Sequence, residues 1–372
     1  MIEITSTNSF LNLKNELSEL KTNSSFLSYD FHSALETSGS VGEKSGWIPF
    51  PIVAKSEGKV VGFMPIYLKE HSYGEYVFDW SWAEAFQKSG LNYYPKMISA
   101  IPFSPITGRR IIADNNDIKR MMVKALEKIL VDHKISSCHI LFPNRQDASL
   151  FNDMGWLQRE GVQFRWENKG YDNFEQFLTN LSHNKRKKIK QERKKINNLN
   201  IEVTIKQGNL ILDEDIEFFY ACYCNTYMLH NSSPYLTKEF FYQLNKNMSG
   251  KLVFIFAEKE GRRIASALNI ISEQSLYGRY WGSLEYVPSL HFELCYYAGQ
   301  EFCIQNKLKY FEGGAQGEHK LARGFDAFKT YSNHFIANSE FKAAIESFLS
   351  KEKKYMDIYS NELEERSPYK GK

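Results

Sequence analysis

Ile255-Phe256-Ala257-Glu258-Lys259-Glu260-Gly261-Arg262 repeats the pattern of Ile52-Val53-Ala54-Lys55-Ser56-Glu57-Gly58-Lys59. Ile, Ala, Glu and Gly match in place. Each stretch reads as an alternating apolar strand that turns through Glu-Gly into a second strand. The separation is far too long for a solenoid repeat, so a duplicated domain explains it. After the first hairpin the pattern gives an aromatic strand over Tyr76 to Trp82, a strand ending at Pro102-Phe103, a helix over roughly 116–133, and the strand His139-Ile140-Leu141-Phe142. Helices near 173–197, 212–230 and 237–247 precede the second hairpin. Strands near 252–258, 264–272 and 275–283, a helix over 290–306 and the strand Lys309-Tyr310-Phe311 make up the rest of that half. A last strand covers Thr330 to Ile336, and an amphipathic helix runs on from Glu340. The fold class is therefore α/β (α+β), each half a mixed, mostly antiparallel sheet flanked by helices. The expected domains are 1–160 and 161–340, the second carrying a basic helix over 184–197, followed by a helical tail over 341–372.

Composition narrows the function classes. The chain has 372 residues, 42% hydrophobic and 15% aromatic, enough apolar surface for two cores and too much for disorder. With 47 basic against 44 acidic residues, any site for a polyanion must be local. MIEITSTNSF lacks the pattern of a secretory signal, and no apolar run approaches the ~18–20 residues that span a bilayer. The five cysteines, Cys138, Cys222, Cys224, Cys295 and Cys303, form no CxxC pair and lie in apolar segments. A reduced, cytoplasmic protein with no membrane span and no disulfide or zinc framework is expected. Walker, HExxH, GxSxG and GxGxxG motifs are missing, so ATP hydrolysis, zinc proteolysis and dinucleotide redox chemistry lack support.

Two stretches carry the chemistry. KRKKIKQERKK over 185–195 holds eight basic side chains and one acid, Glu192, beside a thin apolar stripe of Ile189 and Ile196. One edge can dock while the rest presents charge, and like charges one turn apart are relieved by a phosphate-bearing partner. A merely solvated helix face has the same composition. Phe311-Glu312-Gly313-Gly314-Ala315-Gln316-Gly317-Glu318-His319-Lys320-Leu321-Ala322-Arg323-Gly324-Phe325 follows an apolar strand and is the least core-like segment. Its glycines let backbone approach a ligand, Glu318 or His319 can handle a proton, and Lys320 and Arg323 suit an oxyanion or phosphate. His291 and Glu293, and Asp30 and His32 earlier, mix ionisable and aromatic groups. Arg109 and Arg110 follow the rigid Pro102-Phe103-Ser104-Pro105-Ile106-Thr107-Gly108 turn and can meet an anion.

Tyr93-Tyr94-Pro95-Lys96, Pro102 to Gly108, His291-Phe292-Glu293-Leu294-Cys295-Tyr296-Tyr297 and Glu312 to Phe325 resemble the FemAB-like N-acyltransferases of peptidoglycan biosynthesis/recognition, within the GNAT superfamily. The resemblance implies tandem GNAT-like domains. It also implies transfer of an aminoacyl group from aminoacyl-tRNA, a partner reached through the basic helix, to an amine on a peptidoglycan precursor or peptide. On that reading Glu318, His319, Lys320 and Arg323 are catalytic. Gln316, Gly314, Gly317, His291, Glu293, Asp30 and His32 bind substrate, and Lys185, Arg186, Lys188, Arg193 and Arg109 hold donor phosphates. No metal and no cofactor are required. The loop Gly282 to Leu290 lacks the R/QxxGxG/A pattern that holds the pyrophosphate of CoA. An acyl-CoA or acyl-carrier-protein donor with a small amine acceptor remains the enzyme alternative. A recognition module for cell-wall precursor or RNA is the non-enzyme one.

Overall fold

A computed structural model describes every residue except Lys21, Ala315, Gln316, Gly371 and Lys372. The chain forms two compact units. Unit one comprises Met1–Thr22, Phe26–Gly161 and Lys329–Tyr359, and unit two comprises Asn23–Ser25, Val162–Phe328 and Ser360–Lys372.

Unit one is built around the first hairpin. Ile52–Ser56 pairs antiparallel with Lys59–Met64, and the turn residues Glu57 and Gly58 have φ of 51° and 80°. Two positive values in succession demand a type I′ turn, whose twist matches that of the strands. Ile66–Lys69 then pairs antiparallel with Lys96–Ser99, which pairs in parallel with Ser137–Leu141. The helix Asn116–Asp132 makes that parallel connection. It buries Ile118, Met122, Val123, Leu126 and Leu130 against the strands, while its first turn is capped by Asn115. The opposite core holds Trp82, Phe86, Tyr93, Leu157 and Ile336 under Ile345 and Leu349 of the helix Ser339–Glu365. The tail drawn over 341–372 therefore does not stand apart: its apolar stripe completes the core of unit one up to residue 359, and 360–372 belong to unit two.

The aromatic strand expected over Tyr76 to Trp82 is not a strand. Tyr73, Phe78 and Trp80 are exposed, and the segment enters the helix Trp80–Lys88. What turns inward is polar. Glu75 and Asp79 meet the fully buried Lys96 at 2.8 and 2.5 Å, and the Tyr93 hydroxyl donates to Asp79. Two buried ion pairs hold this backbone where β-propensity alone suggested a strand.

Unit two repeats the plan. Leu252–Lys259 pairs antiparallel with Arg262–Ser272 around Glu260 and Gly261, with φ of 52° and 71°. Both hairpins also slip register at the same repeated place, after Ala54 and after Ala257. Arg262–Ser272 pairs with Ser275–Ser283, which pairs in parallel with Tyr310–Glu312. The helix Asp213–Leu229 lies over these strands at Gly282, where a Cβ would sit 1.9 Å from the Cys222 carbonyl oxygen. The single helix expected over 173–197 is two, Phe174–Thr179 and the basic helix His183–Asn198. The helix expected over 290–306 exists from Leu290 to Gln305 but widens into a π turn over Glu293–Tyr297. Among the described residues no helix is long and apolar enough to cross a membrane.

Candidate functional site

The site in unit two arises where a parallel strand pair comes apart. Ser275↔Tyr310, Leu276↔Phe311 and Tyr277↔Glu312 are paired, and beyond them Ser275–Ser283 continues along Arg262–Ser272 alone. On that side Asn269 opposes Gly278 and Leu268 opposes Tyr280, so Arg279 is an extra residue in the strand. A bulge of this kind re-aims side chains and bends the strand. The space that opens is a cavity of about 160 Å³ lined by Asn269, Arg279, Trp281, His291, Cys295, Tyr296, Phe311, Gly313 and Lys320, among others. The π turn places Cys295 and Tyr296 on its wall, a common use of such turns. In unit one the buried Arg110 sits at the end of the strand Ser137–Leu141 and donates to the carbonyls of Leu141 (2.8 Å), Arg109 (2.8 Å) and Ile106.

Lys320 is buried at the cavity edge. Burial pushes its ammonium down to about 8, with a smaller opposing influence from Cys295. Burial, then the neighbouring His319, Lys320 and Arg323, lower His291 to about 4, so its imidazole is neutral near pH 7. Its ring packs edge-on against Trp281 and Tyr296, each at 5.3 Å. The Tyr296 hydroxyl is hydrogen-bonded to Nε2 of His319 at 2.8 Å. His319 itself is exposed and is also lowered, by burial of part of its ring and then by Arg323, Lys320 and Lys188. His319 thus stands between the cavity wall and the basic helix.

The structure separates the predicted residues into two groups. Lys320 and His291 line the cavity, with His319 one hydrogen bond behind Tyr296. Arg323, expected to meet an oxyanion, is 1% exposed and committed elsewhere. It pairs with Glu192 of the basic helix at 2.7 Å, donates to the His319 carbonyl at 2.7 Å and lies 3.4 Å over the Phe292 ring. Glu192 also accepts from the Tyr297 hydroxyl. Arg193, expected on donor phosphates, instead binds Glu293 at 2.9 Å and Glu301 at 2.7 Å. That occupies Glu293 as well, so neither is available in the roles read from the sequence. Glu318 is exposed, does not line the cavity, and pairs with Arg366 at 2.6 Å. Gly317, with φ of 98°, leaves room for the His319 ring, which a Cβ would meet at 2.4 Å. Gly314 accepts from the Phe164 N–H through its carbonyl, and Gln316 lies outside the described residues.

The basic helix buries Ile189, Glu192 and Ile196 and leaves Lys187, Lys188, Lys190, Lys194 and Lys195 exposed. Lys185 and Arg186 are half-buried. An open trough of about 390 Å³ runs past Lys187, Lys188, Gln191 and Lys195, and a second of about 310 Å³ past Arg186, Lys187, Lys190 and Lys194. Among the described residues no carboxylate lies within 4 Å of Lys187, Lys188, Lys194 or Lys195, whereas Lys190 pairs with Glu175 at 2.6 Å.

The unit-one candidates are not assembled into a site. His32 is fully buried, stacked on Phe10 at 4.3 Å and hydrogen-bonded to the Tyr67 hydroxyl at 2.9 Å, and burial, then Arg110, lower it to about 3. It is a core residue. Asp30 sits in the first turn of the helix Tyr29–Thr37, where an acid suits the helix dipole. Arg109 is exposed, and N–H groups on both sides of it are already engaged within the protein. The Gly108 N–H donates to Phe142, and the N–H groups of Arg110 and Ile111 donate to the Asp147 carboxylate at 2.8 and 3.2 Å.

Asn269, Arg279, Trp281 and Tyr296 escape a reading of the sequence because they look like ordinary strand and helix residues. Gly278 and Gly282, flanking Arg279 inside one strand, are the available sign of a bulge.

A sequence profile of the FemAB-like family, described as peptidoglycan biosynthesis/recognition, matches residues 10–371. No curated protein matches the chain in sequence. Among solved structures, FemX aligns with a TM-score of 0.56 at 10% identity, over 92% of this chain and 100% of that one. L-PGS from Bacillus licheniformis aligns with a TM-score of 0.53 at 10% identity, over 85% and 94%. A conserved protein of unknown function from Bacteroides thetaiotaomicron gives 0.51 at 10% identity, over 89% and 99%. At such identities the likeness is one of fold.

Proposed function

Because the chain belongs to the FemAB-like family, we propose that it is an N-acyltransferase that moves an aminoacyl group from aminoacyl-tRNA to an amine of a peptidoglycan precursor or peptide. The observation that carries this reading is the succession of three features on unit two. They are a trough of exposed lysines, His319 beside it under the influence of Lys188, and a small cavity lined in part by Tyr296, the hydrogen-bond partner of His319, and Lys320. A polyanion fits the trough, and a reactive ester at its end fits the cavity. An acyl-CoA would need pyrophosphate donors that the loop Gly282 to Leu290 lacks in pattern.

In the proposed reaction the neutral acceptor amine attacks the ester carbonyl and forms the C–N bond. The Lys320 ammonium faces the oxygen on which negative charge develops, in a half-enclosed site where such a charge pair counts for more than in water. The proton of the attacking nitrogen passes to solvent, because burial leaves the neutral His291 imidazole too weakly basic to hold it. As the C–O bond breaks, Lys320 protonates the leaving hydroxyl, and solvent restores the proton to Lys320. The balance needs no metal and no resident cofactor. Lys320, lowered to about 8, is matched to proton transfer near neutral pH.

Binding of the purified chain to tRNA across a salt series tests the donor. With Lys187, Lys188 and Lys195 changed to Gln, the slope of log K against log salt should fall by roughly two to three, at about 0.7–0.9 for each phosphate no longer neutralised. An unchanged slope, or CoA binding in the micromolar range with only weak tRNA binding, rejects this donor.

A further inference from the structure

Asn269 lies within the strand Arg262–Ser272, between the buried apolar Leu268 and Ile270, and is itself 1% exposed. Burying an amide costs stability unless its donors and its acceptor are bonded. This one is poorly served. Its Nδ2 reaches only the Val253 carbonyl, at 3.5 Å, the outer limit of a hydrogen bond. Among the described residues, Oδ1 accepts from none. That contact turns the amino end of the amide toward Val253 and leaves the oxygen toward Gly278, the partner of Asn269 on the other side and the start of the bulge. A Cβ at Gly278 would stand 3.6 Å from Oδ1, so the glycine leaves that oxygen uncovered in the cavity wall, which both residues line. A buried acceptor that faces a cavity and meets no donor is a place for an N–H of a ligand. Among the described lining residues there is no Asp or Glu, so the acceptor offered here is an uncharged one.

We propose that Asn269 is a substrate-binding residue whose Oδ1 accepts an N–H of a primary amine held in the cavity. This deepens the acyltransfer reading and rests on it for the identity of the site. Two amines belong to that reaction: the attacking amine of the acceptor and the α-amino group of the transferred aminoacyl residue. An amide oxygen suits both. It takes one N–H without drawing a proton onto the nitrogen, whereas a carboxylate in its place would favour the ammonium, which has no lone pair for attack.

Equilibrium binding to the full chain, followed by calorimetry and by ligand-observed NMR, tests this without turnover. Nα-acetyl-lysine methylamide represents the acceptor amine, and alanine methyl ester represents the aminoacyl group. Each is paired with its N-trimethyl counterpart, which carries charge on the nitrogen but no N–H. The expected result is that in at least one pair the primary amine binds about fivefold or more tighter, roughly 1 kcal/mol, the scale of one hydrogen bond. The pair that shows the preference identifies the source. Asn269→Leu should abolish it, and Asn269→Asp, which keeps an acceptor, should retain it, with circular dichroism showing each variant folded. If the leucine variant does not fold, Asn269→Ala, which adds no bulk, takes its place. Mere steric exclusion of the methyl groups would survive these substitutions. Equal binding within both pairs, or a preference that survives loss of the amide, overturns the inference. Aminoacyl transfer by a chain with no amine preference removes only this inference. Amine preference in a chain that transfers from no donor removes only the proposed function.

Discussion

Arg323→Ala separates the role read from sequence from the role found in the fold. The side chain makes three donor contacts: two to Glu192, at 2.7 and 3.2 Å, and one to the His319 carbonyl at 2.7 Å, with the Phe292 ring beneath it. Truncation leaves Glu192, itself buried, with the Tyr297 hydroxyl and no counter-charge. Removing one partner of a buried ion pair costs about 3–5 kcal/mol. A domain of 150–250 residues loses about 2–4 °C of Tm per kcal/mol, so a drop on the order of 10 °C is expected by calorimetry. Glu192→Gln should lower Tm as well, and the double variant should cost less than the sum, because the two residues share one interaction. At a temperature where Arg323→Ala is folded, transfer should persist within a few-fold, whereas Lys320→Ala should lose about 10²-fold or more, the scale for removing one preorganised charge. An Arg323→Ala protein with unchanged Tm and abolished transfer would refute the assignment of Arg323 to the scaffold.

Other outcomes follow from the same geometry. If the Lys320 ammonium is the working form, transfer at saturating donor should fall as pH rises through about 8, and Lys320→Arg should move that limb above pH 10. A limb that stays in place in the variant assigns it to another group. In unit one, Lys96→Met should cost about 3–5 kcal/mol in denaturant unfolding, because Glu75 and Asp79 stay buried without their cation. Burial raises the Asp79 carboxyl, but Lys96 and then His139 overcome this and hold it below its ordinary value. Its stabilisation is therefore complete above the unfolded value near 3.9 and is lost as pH falls. The acid-side slope of stability should flatten in Lys96→Met, and an unaltered slope contradicts the pairing. Gly282→Ala should destabilise by at least about 1–3 kcal/mol, since its Cβ would sit 1.9 Å from the Cys222 carbonyl. A thermal melt equal to wild type would contradict that packing.

What the sequence discloses and what it conceals divide along physical lines. Periodicity and turn chemistry are local, so the two Glu-Gly hairpins are readable, and they share even the slip after Ala54 and Ala257. The helix Asn116–Asp132 and the strand Ser275–Ser283 are legible for the same reason. Where tertiary charge pairs decide, local reading fails. Tyr76 to Trp82 has the side chains of a strand, but Glu75 and Asp79 are drawn onto a buried lysine. Glu318, His319, Lys320 and Arg323 are nearly adjacent in sequence and look like one constellation. The turn of residues 318–323 sends Glu318 to Arg366 and Arg323 to Glu192, and leaves Lys320 at the cavity. Glu192 and Arg323, like Arg193 and Glu293, are distant in the chain, and such partners leave no mark in a composition or a spacing. Lys187 and Lys195 stand within a run that is recognisably basic, and only the helix face distinguishes them from Arg193.

The most direct measurement incubates the chain with tRNA charged with labelled amino acids and with an amine-bearing peptidoglycan precursor, and follows the label. The account predicts that label passes from the alkali-labile ester on tRNA to an alkali-stable amide on the precursor, and that Lys320→Ala abolishes the passage. Label that stays on tRNA with every amino acid offered, while acyl-CoA supports amide formation, contradicts it.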